Sequence, residues 1–196
     1  TDAISYFDGI INAINQAEKS IDLEVYIFAN DELSQHIVEA LTQAAQRNLK
    51  VRLLTDGVGA CIDFYEIANQ LINAGAEVKI FHPLPWHIEQ WRLSLTKNKG
   101  LEKLFHLFTS INKRDHRKLM IIDQRTAWLG SFNISQKHLP KENKGENWRD
   151  TAIEIKGMDL ESLQIAFDSC WNKWSKRQTV LLLPKTPFMF NFTRAL

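Results

Sequence analysis

The sequence has little net charge, few cysteines and no long apolar run, and each shortage excludes a class of protein. Its 24 basic and 23 acidic residues leave a formal net charge of +1, so no overall field would attract nucleic acid or acidic membranes. The two cysteines, Cys61 and Cys170, match no metal-binding spacing, and we expect both to be buried small apolar residues. No run of about 18 apolar residues is present, so the sequence contains no candidate spanning helix. Anion binding therefore has to come from local clusters.

What is present is a composition typical of one globular domain: 196 residues, 44% hydrophobic and 24% charged. Apolar periodicity predicts helices over residues 4–17, 31–48, 64–75 and 159–176, with Thr1 or Asp2 and then Asp31 as the first two N-caps. Alternating or β-branched runs predict strands over residues 21–28, 50–56, 77–81, 117–123, 125–131 and 151–157. The order predicts an α/β fold, with a mixed, mainly parallel sheet flanked by helices on both faces.

The segment "GVGA" (57–60) follows a strand and precedes a helix, as phosphate-binding loops do. The pattern G-x-G-x-x-G is absent because position 62 is Ile62, and no G-K-[ST] follows. A tight turn is the favoured interpretation.

Residues 82–113 interrupt the rhythm of helices and strands with prolines, tryptophans and a "KNKG" turn. Their aromatic and aliphatic side chains alternate with Lys97, Lys99 and Lys103, which suits an interfacial element, although the same residues could pack on the sheet. The chain starts at Thr1 and ends in an apolar stretch with two prolines. We therefore expect a piece of a longer protein: a catalytic domain over 1–177, an insertion over 82–113, and a tail or linker over 178–196.

The stretch "DHRKLMIIDQRTAWLGSFNIS" (115–135) gathers the residues that can carry chemistry. Side chains alternate along a strand, so His116 and Lys118 face one way and Arg117 the other. A return strand ending at Gly130 would bring a serine and an asparagine back beside them. An ammonium group with neutral donors suits a phosphate, and it leaves the imidazole free for attack or proton transfer.

The spacing H-x-K-x4-D, followed by x6-G-S-x-N, resembles the signature of the phospholipase D superfamily; its residues here are His116, Lys118, Asp123, Gly130, Ser131 and Asn133. The stretch "AINQAEKSIDLEVYIF" is similar to the opening helix and strand of that family. "AAQRNLKVRLLTDGVGA" and "NWRDTAIEIKG" resemble the cardiolipin synthase branch in particular. The resemblance covers most of residues 5–177 and is weakest in the insertion.

The resemblance implies a two-step phosphodiester exchange through a covalent phosphohistidine, with no metal or other cofactor. His116 would be the nucleophile or the acid, Lys118 and Asn133 would hold the phosphate, and Ser131 would lie behind them. Asp123, the third residue of the motif, would be more structural and pin its loop.

Two further residues complete the predicted site. A carboxylate on the following strand should orient His116, and the resemblance implies that it lies where that strand begins, which gives Asp150, with Glu154 less favoured. The basic cluster of Lys113, Arg114 and Arg117 beside the site would suit an anionic head group or a nucleic acid, and it makes Arg117 a candidate for substrate binding.

The mechanism needs two such motifs, and this sequence has one. The other histidines are His36, His82, His87, His106 and His138, and none begins H-x-K. The second motif would come from another chain across a two-fold axis or from a second half after Leu196, and the apolar tail favours the second half.

Three functions remain open. The first is a phospholipase D-type phosphatidyltransferase, cardiolipin synthase-like, which acts on anionic phospholipid in peripheral contact with the inner face of the cytoplasmic membrane. The second is a metal-independent homodimeric nuclease; a nuclease usually has a wider basic surface, so nucleic acid is the less favoured partner. The third is a non-catalytic half, against which the intact His116 and Lys118 argue.

Overall fold

The computed structural model describes residues 2–60, 64–84, 114–157 and 160–172 of the chain. The helices are α1 (Ala3–Gln16), α2 (Glu32–Gln46), α3 (Phe64–Asn73) and α4 (Glu161–Asn172). The strands are β1 (Ser20–Val25), β2 (Lys50–Asp56), β3 (Glu77–Phe81), β4 (Leu119–Ile122), β5 (Thr126–Gly130) and β6 (Ala152–Lys156). The predicted insertion beyond residue 84 and the predicted tail lie outside the described residues. Among the helices of the described ranges, none is both long and apolar enough to cross a membrane.

The first two helices begin at aspartate N-caps. Oδ1 of Asp2 accepts the backbone N–H of Ser5 at 2.9 Å, and Oδ1 of Asp31 accepts that of Ser34 at 3.0 Å. Each carboxylate satisfies an N–H group that has no partner within its helix. Both helix starts are confirmed, and Asp2 is the cap of α1.

The six described strands form one mixed sheet in the order β3-β2-β1-β4-β5-β6. β1, β2 and β3 pair in parallel, whereas β4, β5 and β6 are each antiparallel to the strand before them in that order. β1, β2, β3 and β5 therefore share one direction, which confirms the predicted fold class. β4 and β5 are joined by a tight turn, and a connection that short permits only an antiparallel pair.

Helices cover both faces of the sheet because its central strands are apolar on both sides. Met120 and Ile122 of β4 face the core formed with α1, α2 and α3. Leu119 and Ile121 face the opposite core, where they join Phe167 of α4. The alternation of side chains along one four-residue strand thus supplies both layers.

Strand direction determines which strand ends meet at one edge of the sheet. Glu24 at the end of β1 pairs with Leu119 at the start of β4, and Leu119 pairs with Leu129 near the end of β5. Gly130 in turn pairs with Ala152 at the start of β6. The segments that follow β1 and β5 and those that precede β4 and β6 therefore converge, and they carry the predicted site.

Candidate active site

His116 and Lys118 lie in contact at this edge. Nζ of Lys118 is 3.0 Å from Nδ1 of His116 and donates to the carbonyl oxygen of His116 at 2.7 Å. The His116 side chain is exposed, whereas Lys118 is only 8% exposed. Both residues precede β4, which begins at Leu119 rather than at the predicted residue 117. The pair is thus an exposed imidazole supported from below by a buried ammonium.

The buried position of Lys118 shapes its electrostatics. Burial lowers the pKa of its ammonium group, and the negative charges of Asp150 and Asp115 oppose that change. Little water hydrates a buried cation, so a phosphate that reached it would meet a weakly screened charge.

Tyr26, just past the end of β1, forms a wall of the site that the sequence argument missed. Its ring centroid is 4.6 Å from that of His116, and Nζ of Lys118 lies 5.3 Å from it. Gly59 of the "GVGA" turn packs against the same residue, because a Cβ atom at Gly59 would overlap the carbonyl oxygen of Tyr26. The turn therefore serves close packing against the strand end. The sequence feature that could have identified Tyr26 is an aromatic residue at the carboxyl end of a buried strand.

Asn133 and Ser131 reach the same edge from the end of β5. Oδ1 of Asn133 accepts the backbone N–H of Ile27 at 3.1 Å, which leaves the NH2 group as the donor end of the amide. Oγ of Ser131 accepts the backbone N–H of Thr151 at 3.1 Å, so the hydroxyl ties the end of β5 to the segment before β6. Asn133 can offer a donor to a phosphate, while Ser131 supports the loop that carries it.

Asp150 lies beside His138, whereas the sequence predicted His116 as its partner. Its Oδ2 atom lies 2.8 Å from Nδ1 of His138, whose Nε2 atom accepts the backbone N–H of Asn133 at 3.2 Å. Because Nε2 accepts, the proton of the neutral ring is on Nδ1 and faces Asp150. Burial lowers the pKa of His138, against the charge of Asp150. This pair holds the Asn133 loop, and the orientation of His116 by Asp150 stays a prediction.

The alternative carboxylate, Glu154, is exposed on β6. Its Oε1 atom lies 2.8 Å from Nζ of Lys156 on the same strand. This surface pair gives Glu154 a partner away from His116.

The placement of Arg117 does not fit the predicted role in substrate binding. Its guanidinium contacts Asp115 at 3.2 Å and Glu24 at 2.6 Å, and it donates to the carbonyl oxygen of Ala166 at 3.3 Å. Alternation along the extended segment turns Arg117 away from the His116 side and toward α4, as the sequence argument itself required. The described residues beside His116 are therefore Lys118, Asn133 and the Ser131 loop, and substrate binding by Arg117 stays an untested prediction.

Asp123 lies at the other end of β4 from Lys118. Its carboxylate accepts the backbone N–H groups of Glu18, Lys19 and Ser20 at 2.9, 2.7 and 2.9 Å. Burial opposes ionisation, but these three donors lower the pKa of Asp123 below its ordinary value. The third residue of the motif thus anchors the start of β1 and does not touch the reacting groups.

Behind the site, the side chains of Glu24, Asp115 and Cys170 place ligand-type atoms within 4.8 Å of one another. The guanidinium of Arg117 contacts both carboxylates. That guanidinium already supplies the positive charge that a metal ion would bring to this cluster.

The fold and the paired His116 and Lys118 define the phospholipase D-like class, and comparison with known proteins agrees. The family model described as "Cardiolipin synthase, PLD-like domain" matches residues 10–171. The chain therefore belongs to the cardiolipin synthase, phospholipase D-like domain family.

Curated relatives carry the same family name. The chain is 39% identical over 171 residues to a cardiolipin synthase of Clostridium perfringens, covering 87% of this chain and 32% of the relative. It is 31% identical over 184 residues to the major cardiolipin synthase ClsA of Bacillus subtilis, covering 94% and 34%. The chain thus spans about a third of the length of the curated relatives it matches.

Solved structures share the fold. The phospholipase D family member Nuc from Salmonella typhimurium aligns with a TM-score of 0.59 at 21% identity, covering 84% of this chain and 86% of that one. NucT from Helicobacter pylori aligns with a TM-score of 0.57 at 17% identity, covering 86% and 89%. At this identity the likeness concerns architecture.

Proposed function

We propose that this chain is one catalytic half of a phospholipase D-type transphosphatidylase that forms cardiolipin from phosphatidylglycerol. The observation that carries the proposal is the 3.0 Å contact between Nζ of Lys118 and Nδ1 of His116, in a chain of the cardiolipin synthase domain family. Phospholipid hydrolysis is the same chemistry with water as the acceptor.

The proposed exchange has two displacement steps. First, a ring nitrogen of His116 attacks phosphorus, the P–O bond to the glycerol head group breaks, and the departing oxygen takes a proton from a second histidine. A second phosphatidylglycerol then gives its hydroxyl proton to that second histidine, its oxygen attacks phosphorus, and the N–P bond breaks. His116 is restored, and one cardiolipin and one glycerol result.

Lys118 and Asn133 stabilise the charge that develops on the phosphoryl oxygens. Donors of this kind typically contribute about 10²–10³ in rate when they are fixed before the reaction. Lys118 is held by the carbonyl oxygen of His116, and the amide of Asn133 is held by Ile27. Both groups are therefore positioned before a substrate arrives.

The tautomer of His116 bears on the first step. A charged ammonium has only donors, so Nδ1 accepts from Lys118 and the ring proton is on Nε2. Attack through Nε2 requires a group at Nδ1 that accepts the proton instead. A carboxylate meets that need, which is the role we keep for Asp150 after a rearrangement that frees it from His138.

The second histidine is proposed to come from a following half of the same protein, with a second copy of this chain as the other source. Coverage of only 32% of the Clostridium relative leaves room for such a half. We retain the predicted division into a catalytic domain over 1–177, with the insertion over 82–113 as a membrane contact and 178–196 as the link. We also propose that the protein attaches peripherally to the inner face of the membrane, where it would meet its phospholipid substrate.

A competition assay tests the proposal. The longest native form of the chain receives phosphatidylglycerol vesicles and single-stranded DNA together, with a chelator present. Glycerol release with intact DNA is the expected result, and it should vanish in His116→Ala but persist in His36→Ala, which alters an exposed histidine on α2. DNA fragments with intact lipid would replace the proposal with the nuclease.

A further inference from the structure

A second buried polar cluster lies on the sheet face away from His116, and the proposed mechanism does not use it. Two of its carboxyl groups, those of Glu24 and Asp115, are 2% and 8% exposed. Nη2 of Arg117 lies 2.6 Å from Oε1 of Glu24 and 3.2 Å from Oδ2 of Asp115. Cys170 of α4 donates its thiol proton to Oδ2 of Asp115 at 3.1 Å.

The charges of this cluster do not balance if both carboxyl groups are ionised. The Cys170 thiol stays neutral because burial raises its pKa, so Arg117 would contact two negative charges, with Lys118 acting on Asp115 only from a greater distance. The neighbouring cations are already engaged: Arg52 binds Asp22 and Asp168, while Arg114 lies beside Asp56. An uncompensated charge in a dry interior costs several kcal/mol. A single proton retained within the cluster removes that cost.

We infer that Glu24 is a neutral carboxylic acid that shares its proton with Asp115, and that this pair positions the segment carrying His116. The first clause concerns a protonation state and is independent of any substrate. The second clause rests on the proposed function of His116. Glu24 is a positioning residue in this scheme, since it touches neither the reacting groups nor a substrate.

The distribution of donors decides which carboxyl group keeps the proton. Asp115 accepts from the backbone N–H, Nε and Nη2 of Arg117 and from the thiol of Cys170. Among the described residues, neither carboxyl oxygen of Glu24 accepts a hydrogen bond, although Nη2 of Arg117 lies 2.6 Å from Oε1. Burial and, after it, the neighbouring Asp115 together raise the pKa of Glu24 to about 9, against the charge of Arg117. Burial also opposes ionisation of Asp115, but hydrogen bonds from Glu24, Arg117 and Cys170 lower its pKa.

The pair can position His116 because Asp115 directly precedes it. The carboxylate of Asp115 is fixed from the α4 side by the cluster, and its backbone N–H donates to Oδ2 of Asp56 at 3.0 Å. On the other side of His116, Lys118 holds the carbonyl oxygen of the histidine. Without a proton on Glu24, Asp115 would face a second negative charge and the segment would lose that anchor.

Glu24→Gln in the full chain tests the shared proton, because glutamine keeps both a donor and an acceptor. The matched control is Asp22→Asn, on the same strand and equally buried, whose carboxylate binds Arg52 at 2.6 and 2.7 Å. We expect Glu24→Gln to keep or raise Tm at neutral pH, because glutamine has no proton to lose, and Asp22→Asn to lower Tm by roughly 6 °C or more. Equal losses of Tm in the two variants would overturn the inference.

Two further measurements examine the proton itself. The infrared spectrum of the wild type should contain the carbonyl band of a protonated carboxylic acid at pH 7, and Glu24→Gln should lack it. The folded state holds this proton between the ordinary pKa of 4.5 and about 9, so wild-type stability should fall as pH rises through that window. The fall should be smaller in Glu24→Gln. An identical pH profile in both proteins, or no band in the wild type, would overturn the inference.

Glu24→Leu removes the donor and tests the positioning clause by kinetics. We expect kcat of Glu24→Leu to fall at least about tenfold with little change in KM. Glu24→Gln, which keeps a donor, should have a kcat close to that of the wild type. A folded Glu24→Leu with wild-type kcat would overturn the positioning clause. If no lipid turns over in any variant, the proposed function fails, while the infrared band and the Tm profiles still decide the shared proton.

Discussion

The two faces of the segment before β4 both carry basic side chains, but one face is open to a substrate and the other anchors the chain. On one face, His116 is exposed, and within the described part of the chain its imidazole contacts the ammonium of Lys118 and the ring of Tyr26. On the other face, Arg117 binds two buried acidic groups and a helix carbonyl. His116, which is available to a substrate, thus has few structural partners, while all three guanidinium nitrogens of Arg117 have a partner. Substitutions on the two faces should therefore change different observables.

The largest effect is expected on the exposed face. His116→Ala removes the proposed nucleophile, so turnover of phosphatidylglycerol should fall by a factor on the order of 10⁴ or more. The free energy of unfolding should change by about 1 kcal/mol or less, because the side chain is exposed. Glycerol release and denaturant unfolding measure the two quantities. Activity that survives this substitution would remove His116 from the site.

On the buried face, the expected effect is on stability. Arg117→Met leaves the buried Glu24 and Asp115 without their cation, and because the Arg117 side chain is 43% exposed the cost should be about 3 kcal/mol, at the lower end of the range for buried charge pairs. The control is Arg125→Met, because the Arg125 side chain is 70% exposed and makes a long, 3.8 Å contact with Glu18. This substitution should cost about 0.5 kcal/mol or less. Urea unfolding compares the variants. Equal stability of the two would mean that Arg117 does not hold the cluster.

A substitution at the far end of β4 should also change stability, as one on the buried face does. Asp123→Ala removes an acceptor of three backbone N–H groups and should cost about 2–3 kcal/mol. Asp123→Asn keeps one acceptor oxygen and should cost less. The pKa of Asp123 is lowered in the folded state, so its contribution is present above the unfolded pKa and is lost as pH falls through the folded value. A thermal unfolding series in acid should show a shallower loss for Asp123→Ala than for the wild type.

The smallest expected effect lies at Ser131. Ser131→Ala removes a hydroxyl that accepts the N–H of Thr151, which should cost about 1 kcal/mol of stability. Turnover should fall by less than about tenfold, because the hydroxyl supports the loop rather than the phosphate. Ser169→Ala, at an exposed helix position where the hydroxyl donates to the carbonyl oxygen of Ala166 in its own helix, is the control for loss of a local hydrogen bond away from the site. A fall in turnover as large as that of His116→Ala would make Ser131 a direct contact to the substrate.

The sequence predicted the secondary structure well where local chemistry decides it. The Asp2 and Asp31 caps, the α/β order and the hairpin between β4 and β5 follow from short-range patterns, and the structure confirms them. Strand ends were less accurate. β1 ends at Val25 rather than at residue 28, and β4 begins at Leu119 rather than at residue 117. Strand pairing stops there because the two backbone segments separate to form the site.

The predicted site illustrates the same division. Spacing alone brought His116 and Lys118 to one side, and it identified the family that the comparisons show. Spacing could not separate Asp123, at the far end of a strand, from residues at the near end. It also could not reveal that Asp150 meets His138, or that Tyr26 approaches from another strand. Glu24 was visible only as a charge that alternates with apolar residues in a buried strand.

By itself, the sequence determined the family, the mixed sheet and the histidine–lysine pair, because these depend on residue spacing and side-chain alternation along one segment. The tertiary structure decided the partners of the charged groups. Long-range pairing brings the ends of β1, β4, β5 and β6 to one edge and places α4 over Glu24 and Asp115. Burial and proximity then assign each carboxyl group its partner and its proton, and both depend on residues that are distant in the chain.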